Sequence, residues 1–365
     1  MILFNDFKAH YATVREAVRP AVDRVLDSAW YILGEELQAF EAAFGDYVGA
    51  QHAVGVASGT DAIALALMAA GISGGDEVIT TNLTAFPTIT GITMTGAVPV
   101  VVDIDSATGL MDPAQLEAGI TPRARAIVPV HLYGQSCDLD PIHEIAATHR
   151  LAIIEDCAQS AGADYRGRKT GSIGTAGCFS FYPTKNLGAF GDAGAVTTND
   201  SDVYERLLQL RNYGQTKRYY HDHNGINSRL DEMQAAILNV KLPLLDGWNA
   251  RRRDIATQYR QSLPEQCLLV ERDYGRSVYH LFPIQVPNRD AFTARMTELG
   301  VQTLIHYPVT IQRQKAFKGQ QSDAFPASNS FADQIVSIPI YPELIDAQVD
   351  KICSAVNAVL SQDID

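Results

Sequence analysis

Two side chains of this 365-residue chain could together run condensation chemistry on a carbonyl group: Lys185 and Asp156. Lys185 lies in Gly177-Cys178-Phe179-Ser180-Phe181-Tyr182-Pro183-Thr184-Lys185-Asn186-Leu187-Gly188, a largely apolar stretch that predicts burial. Taking an ammonium out of water favours the neutral amine, a nucleophile able to form a Schiff base. Asp156 ends the run Leu151-Ala152-Ile153-Ile154-Glu155, which predicts a carboxylate at the carboxyl end of a buried strand. A carboxylate placed there needs a cation or hydrogen-bond donors. The nitrogen of a pyridoxal phosphate (PLP) ring is one such partner; a helix cap or an arginine is another. Gln159, three residues on, could donate to the phenolate oxygen of that cofactor.

A phosphate needs its own cradle. Ser58-Gly59-Thr60-Asp61 precedes Ala62-Ile63-Ala64-Leu65-Ala66-Leu67-Met68-Ala69-Ala70, a strong helix former. Small residues at a helix start leave backbone N–H groups and the positive dipole end free for an anion. A serine cap without a ligand gives the same pattern. No Walker loop, GxGxxG fingerprint or G-x-S-x-G elbow is present, which disfavours P-loop, nicotinamide and serine-hydrolase chemistry. Asp103-Ile104-Asp105-Ser106-Ala107-Thr108-Gly109 departs from a calcium loop, with Ala at a ligand position and its glycine one residue late, and predicts a turn. His221 and His223 lack helical spacing, and the five cysteines have no CxxC pair, so no metal site is expected.

The elements around these residues alternate. Glu77–Thr81, Pro99–Asp103, Ala126–Val130 and Leu151–Asp156 predict strands. Asp61–Ala70, Pro87–Thr95, Pro113–Gly119 and Pro141–His149 predict helices. This α/β alternation predicts a mostly parallel sheet with helices on both faces and a ligand beyond the strands' carboxyl ends. After Asp231 a helical stretch runs to Leu263; Tyr279–Val286 predicts a strand and Arg289–Leu299 a helix. Two domains are expected, 1–245 and 246–365, with the N-terminal segment on or near the smaller one.

Composition narrows the partners. The net charge of −13 without a basic run argues against nucleic acid. The N-terminus lacks a basic start followed by an apolar run, and no apolar stretch reaches membrane length, so a cytoplasmic, membrane-free protein with reduced thiols is expected.

Taken in order, these motifs resemble the DegT/StrS-type PLP-dependent sugar aminotransferases, of fold type I (the aspartate aminotransferase fold). The resemblance spans nearly the whole chain. It includes Trp30-Tyr31-Ile32-Leu33-Gly34, Ser58-Gly59-Thr60-Asp61-Ala62, Thr95-Gly96-Ala97-Val98-Pro99-Val100 and Pro129-Val130-His131-Leu132-Tyr133-Gly134. It continues through Glu155-Asp156-Cys157-Ala158-Gln159, the Lys185 segment and Gly225-Ile226-Asn227-Ser228-Arg229-Leu230-Asp231-Glu232. The resemblance implies that Lys185 carries the cofactor and moves protons, that Asp156 faces the pyridine nitrogen and that Gln159 faces the phenolate oxygen. It implies a phosphate held by Gly59, Thr60 and Ser180, with Asn227 supplied by the other subunit of a homodimer. Tyr31, His306 and Tyr307 fall in segments that approach the substrate in the family. One departure stands out: where many members have an aromatic after Thr84, this chain has Ala85, with Phe86 one position later. The implied reaction moves an amino group from L-glutamate to a nucleotide-linked keto sugar, with C3 of a dTDP-3-keto-6-deoxyhexose favoured. C4 amination of a related nucleotide sugar and a non-catalytic PLP-binding regulator are the alternatives.

Overall fold

The computed structural model describes residues 1–317 and 324–361. Seven strands form its central sheet: β1 (His52–Val56), β2 (Glu77–Thr81), β3 (Val98–Val102), β4 (Ala124–Val128), β5 (Ala152–Asp156), β6 (Ala176–Ser180) and β7 (Gly194–Thr198). Their spatial order is β1-β7-β6-β5-β4-β2-β3. The pairs from β3 through β6 are parallel, and β7 runs antiparallel to both β6 and β1. The expected mostly parallel α/β sheet is therefore present, and the four expected strands are β2 to β5. β1 and β6 lacked a strong β-branched run, with Gly55 and Gly177 inside them, and β7 has only Val196-Thr197-Thr198 after Gly194 and Ala195.

Alternation along each strand sends side chains to opposite faces. Ile127 and Ile153 join the core under α5 (Leu116–Gly119) and α6 (Leu139–His149), whereas Val128 and Ile154 join the core under α3 (Gly59–Ala69) and α7 (Ser201–Leu210). On β6, Cys178 faces the α3 core, while Phe179 packs edge-on at 4.9 Å against Phe44 of α2 (Glu35–Val48). Both faces are dry, as parallel strands require.

The predicted helix at Pro113–Gly119 is a 3₁₀ turn followed by one α turn, because Pro113 starts it and Ile120 leaves it extended. The helical stretch after Asp231 is α8 (Glu232–Lys241), a 3₁₀ turn at Leu242–Leu244 and α9 (Leu245–Ser262). Pro243, which cannot donate to a preceding turn, sits at that break. Beyond it a second core gathers Ile255, Tyr259, Phe282, Ile284, Val336, Ile338, Ile352 and Val356. Ile2 joins this core: its N–H donates to the Gly300 carbonyl at 2.7 Å and its own carbonyl accepts from Gln302 N–H at 3.0 Å. The first residues thus pack with the C-terminal part, whereas α1 (Phe7–Ser28) lays Val14, Val18, Ala21 and Val25 against Ala236 and Ile237 of α8. Among the described residues, no helix is long and apolar enough to cross a membrane.

Candidate active site

Sheet register brings three chain segments to one edge. Val56 and Ser180 both pair with Gly194, and Asp156 pairs with Cys178, so β1, β5 and β6 end side by side. Each strand then hands over to a functional segment: Ser58 to Thr60 after β1, Asp156 to Gln159 at β5, and Tyr182 to Gly188 after β6.

Asp156 is 4% exposed. Thr88 Oγ1, on α4 (Phe86–Met94), donates to its Oδ2 at 2.8 Å, and Ala158 N–H donates to Oδ1 at 3.1 Å. Among the described residues no arginine pairs with it, so the arginine alternative is not taken up. Burial pushes its pKa up; the two hydrogen bonds and the charge of Lys185 pull the other way without cancelling the desolvation. A buried carboxylate held by only two neutral donors has capacity for a cation.

Lys185 meets that carboxylate electrostatically. Its backbone N–H donates to Tyr182 O at 2.8 Å, closing a turn that places it at the strand ends. The residue is half-buried at its surface, yet its amine lies deep enough that desolvation lowers its pKa to about 8, with Asp156 opposing the shift. The neighbouring Asn186 anchors this turn to the C-terminal part, donating to Asn249 Oδ1 at 2.8 Å and to Val278 O at 3.0 Å.

Ser58 caps α3, its Oγ accepting from Asp61 N–H at 3.1 Å, which leaves the first-turn N–H groups of Gly59 and Thr60 without intrahelical partners. A Cβ built on Gly59 would lie 2.7 Å from Ser180 Cβ, so only glycine allows the helix start to approach the end of β6 so closely. Ser228 Oγ holds the far side of this turn, donating to Asp61 Oδ2 at 2.7 Å and accepting from Ala57 N–H at 3.0 Å.

Gln159 is fixed at both ends of its amide. Its Oε1 accepts from Tyr133 N–H at 2.6 Å, and its Nε2 donates to Tyr307 Oη at 3.0 Å. One amide hydrogen remains for another acceptor. Tyr133 donates to His306 O at 2.5 Å, and His306 Nδ1 lies 3.0 Å from Ser337 Oγ. His306 is driven to about 4 by burial and then by Lys185, so its ring is neutral at physiological pH. Tyr307 is pushed up to about 12 by burial and then by Asp156, so it keeps its hydrogen. Lys185, Asp156, Gln159, His306 and Tyr307 are thus one connected group.

Two expected residues lie apart from it. Tyr31 is 48% exposed, and its carbonyl accepts from Glu232 N–H at 3.1 Å beside the Ile32–Asp231 bridge. Asn227 is exposed on the stretch leading to the buried Ser228 and bridges Asn212. The structure joins neither to Lys185. Phe86 packs with Ile89, Val101, Ile311 and Phe325, which leaves Ala85 as the residue after Thr84 and takes the aromatic away from the Asp156 group. The Asp105–Gly109 segment is a turn, as expected: Gly109 N–H donates to Asp105 O at 2.8 Å with φ at +76°.

Several contributors had no sequence signal of their own. Thr88 is one. A buried set of His131, Glu155 and Cys157 is another. Glu155 accepts from Gly171, Ile173 and Gly174 N–H at 2.8, 2.9 and 2.7 Å and lies 3.1 Å from His131 Nε2. Cys137 N–H donates to His131 Nδ1 at 3.1 Å, so Nε2 carries the ring hydrogen toward Glu155. With its oxygens so occupied, Glu155 clamps β5 to the loop after it.

The donor set fits pyridoxal phosphate: a nucleophilic amine with a lowered pKa, an undercompensated buried carboxylate, and a helix start that glycine keeps open beside Ser180. Residues 13–357 match the model of the DegT/DnrJ/EryC1/StrS aminotransferase family. The chain belongs to that family. The aminotransferase is 45% identical to a dTDP-3-amino-3,4,6-trideoxy-alpha-D-glucose transaminase from Streptomyces venezuelae, over 97% of this chain and 94% of the relative. It is 46% identical to a dTDP-3-amino-3,6-dideoxy-alpha-D-galactopyranose transaminase from Aneurinibacillus thermoaerophilus, over 98% and 99% of the two chains. Among solved structures, S. venezuelae DesV in complex with a ketimine intermediate superposes with a TM-score of 0.97 at 44% identity, covering 99% of each chain. The expected fold type I architecture, the PLP dependence and the aminotransferase class therefore hold for this enzyme.

Proposed function

We propose that this aminotransferase moves an amino group from L-glutamate to a nucleotide-linked keto-6-deoxy sugar, at C3 of a dTDP-3-keto-6-deoxyhexose, leaving 2-oxoglutarate. The observation that carries the reading is the deep-lying Lys185 amine, lowered to about 8 by burial and charge-coupled to buried Asp156. The kinship with two dTDP-3-amino-sugar transaminases supports the carbon and the nucleotide.

When bound, PLP supplies the electron sink that makes the donor's α-hydrogen acidic. The protein's residues do the rest. Lys185 would hold the cofactor covalently, and its amine would serve as the base that takes the α-hydrogen and the acid that returns it. Asp156 would face the ring nitrogen and keep it cationic. Gln159 has one amide hydrogen to offer the phenolate oxygen, while Tyr133 and Tyr307 stop its amide from turning. Gly59, Thr60 and Ser180 hold the phosphate. His306, neutral, and Tyr307, protonated, offer uncharged contacts to the sugar.

Asn227 reaches the phosphate of a second copy, making a homodimer with shared sites, and Tyr31 lines the nucleotide end. The exposed ring of Tyr213, whose N–H donates to Ile226 O beside Asn227, supports a surface that another copy covers. Residues 1–245 form the large domain and 246–365 the small one, in a cytoplasmic enzyme. The deciding experiment incubates the enzyme with glutamate and a panel of nucleotide-linked keto sugars, then locates nitrogen in the product by NMR. Nitrogen at C3 is expected; nitrogen at C4, or no amination of any member, overturns the proposal.

A further inference from the structure

We propose that Thr88, backed by Thr84, is a positioning residue that fixes the side chain of Asp156 toward the cofactor ring and sets how strongly Asp156 holds its negative charge. The inference rests on the proposed function and extends it to Thr88, a residue outside the family motifs quoted above.

The argument is a hydrogen count. Thr88 has one hydroxyl hydrogen, and at 2.8 Å from Asp156 Oδ2 it is given to an acceptor that cannot donate while ionised. Thr88 Oγ1 must therefore accept from Thr84 Oγ1, 2.9 Å away. The chain runs one way, Thr84 to Thr88 to Asp156. With Ala158 N–H on Oδ1 at 3.1 Å, each carboxylate oxygen carries one donor and keeps a lone pair for a ring N–H. Thr84 and Thr88 are 3% and 1% exposed, so water does not replace either hydroxyl.

Neighbouring contacts separate this role from general support of the strand. The backbone of Asp156 is held independently: its N–H donates to Pro129 O at 2.9 Å, and its carbonyl accepts from His131 N–H at 3.1 Å. Thr88 therefore acts on the side chain alone. Its helix is fixed in turn. A Cβ on Gly91 would lie 2.9 Å from Thr60 O, so α4 rests directly on the turn proposed to hold the phosphate. Phe86 anchors the start of α4 in a separate apolar cluster. The shift of the aromatic from position 85 to 86 and the hydroxyl chain thus meet at the start of one helix. The charged or titratable groups acting on Asp156 are Lys185, His131, Tyr307 and Cys178.

Without the Thr88 donor the carboxylate becomes more basic and draws the ring proton to itself. The ring loses positive charge, and the nitrogen linking Lys185 to the cofactor becomes more basic too. The test compares Thr88→Val, Thr88→Ser and Thr84→Val as PLP-loaded proteins, reading the pH midpoint of the visible cofactor band and the PLP dissociation constant. In Thr88→Val the midpoint should rise by about one unit and PLP binding weaken roughly 10-fold, the equivalent of one hydrogen bond to a charged group. Thr88→Ser should restore both, and Thr84→Val should shift both in the same direction by less. An unchanged midpoint and affinity in Thr88→Val overturn the inference, as does a serine variant that behaves like valine. If Thr88→Val does not fold, an unshifted Thr84→Val overturns it. A wild-type protein without a visible cofactor band would instead refute the proposed function.

Discussion

Replacing Asp156 by asparagine should make the cofactor-free protein more stable and the loaded enzyme nearly inactive. The side chain is 4% exposed, and burial outweighs the help from Thr88, Ala158 and Lys185, so its folded pKa lies above its unfolded one. For an acid, that sign means the ionised form costs stability at neutral pH, and the cost fades as pH falls through the folded pKa. Asparagine has nearly the same shape and no charge. Its Oδ1 can accept from Ala158 N–H, and its amide can donate to Thr88 Oγ1 if that hydroxyl turns to Thr84. Two hydrogens then lack a named acceptor, the second one on the new amide and the one on Thr84 Oγ1, but removing the buried charge outweighs them, so the melting temperature of the cofactor-free variant at pH 7.5 should equal or exceed that of wild type. Catalysis behaves oppositely. The cationic ring nitrogen would lose the anionic partner proposed for it, and breaking such a buried pair costs about 3–5 kcal/mol, roughly 10²- to 10⁴-fold in rate. Stopped-flow absorbance after mixing loaded enzyme with glutamate measures the first half-reaction directly. Near-wild-type rates in Asp156→Asn, or a clearly lower melting temperature without cofactor, would refute the reasoning.

Three further outcomes follow from the same geometry. Capture of PLP by the cofactor-free enzyme should slow about tenfold per pH unit below about 8, where the Lys185 amine becomes protonated, and Lys185→Ala should fold but capture no PLP covalently. A pH-independent rate between 6 and 8 would contradict the lowered pKa. Gly59→Ala should weaken PLP binding at least tenfold, because the new methyl sits 2.7 Å from Ser180 Cβ and forces the helix start away; equilibrium titration with PLP measures this. Asn227→Ala should raise the PLP dissociation constant, and mixing it with an inactive Lys185→Ala partner should change activity per active subunit if sites are shared. Additive activities would remove that contact.

Much of this enzyme was legible along the chain because its chemistry is local in sequence. Lys185 sits in an apolar segment, Asp156 at the end of an apolar run, and Gly59 at a helix start, so residue type and neighbours anticipated where each lies in the fold. The strands β2 to β5 followed from β-branched runs for the same reason. The edge strand β1 and its neighbour β7 escaped notice because they contain glycines and pair with each other across more than a hundred residues. What tertiary structure alone decided is which distant groups set the electrostatics. Thr88 donates to Asp156 from 68 positions away, Tyr307 meets Gln159 from 148, and Glu232 caps α2 by accepting from Gly34, Glu36 and Leu37 N–H across almost 200. A hydrogen bond needs two atoms within about 3 Å, a condition that sequence distance leaves open and sheet register settles.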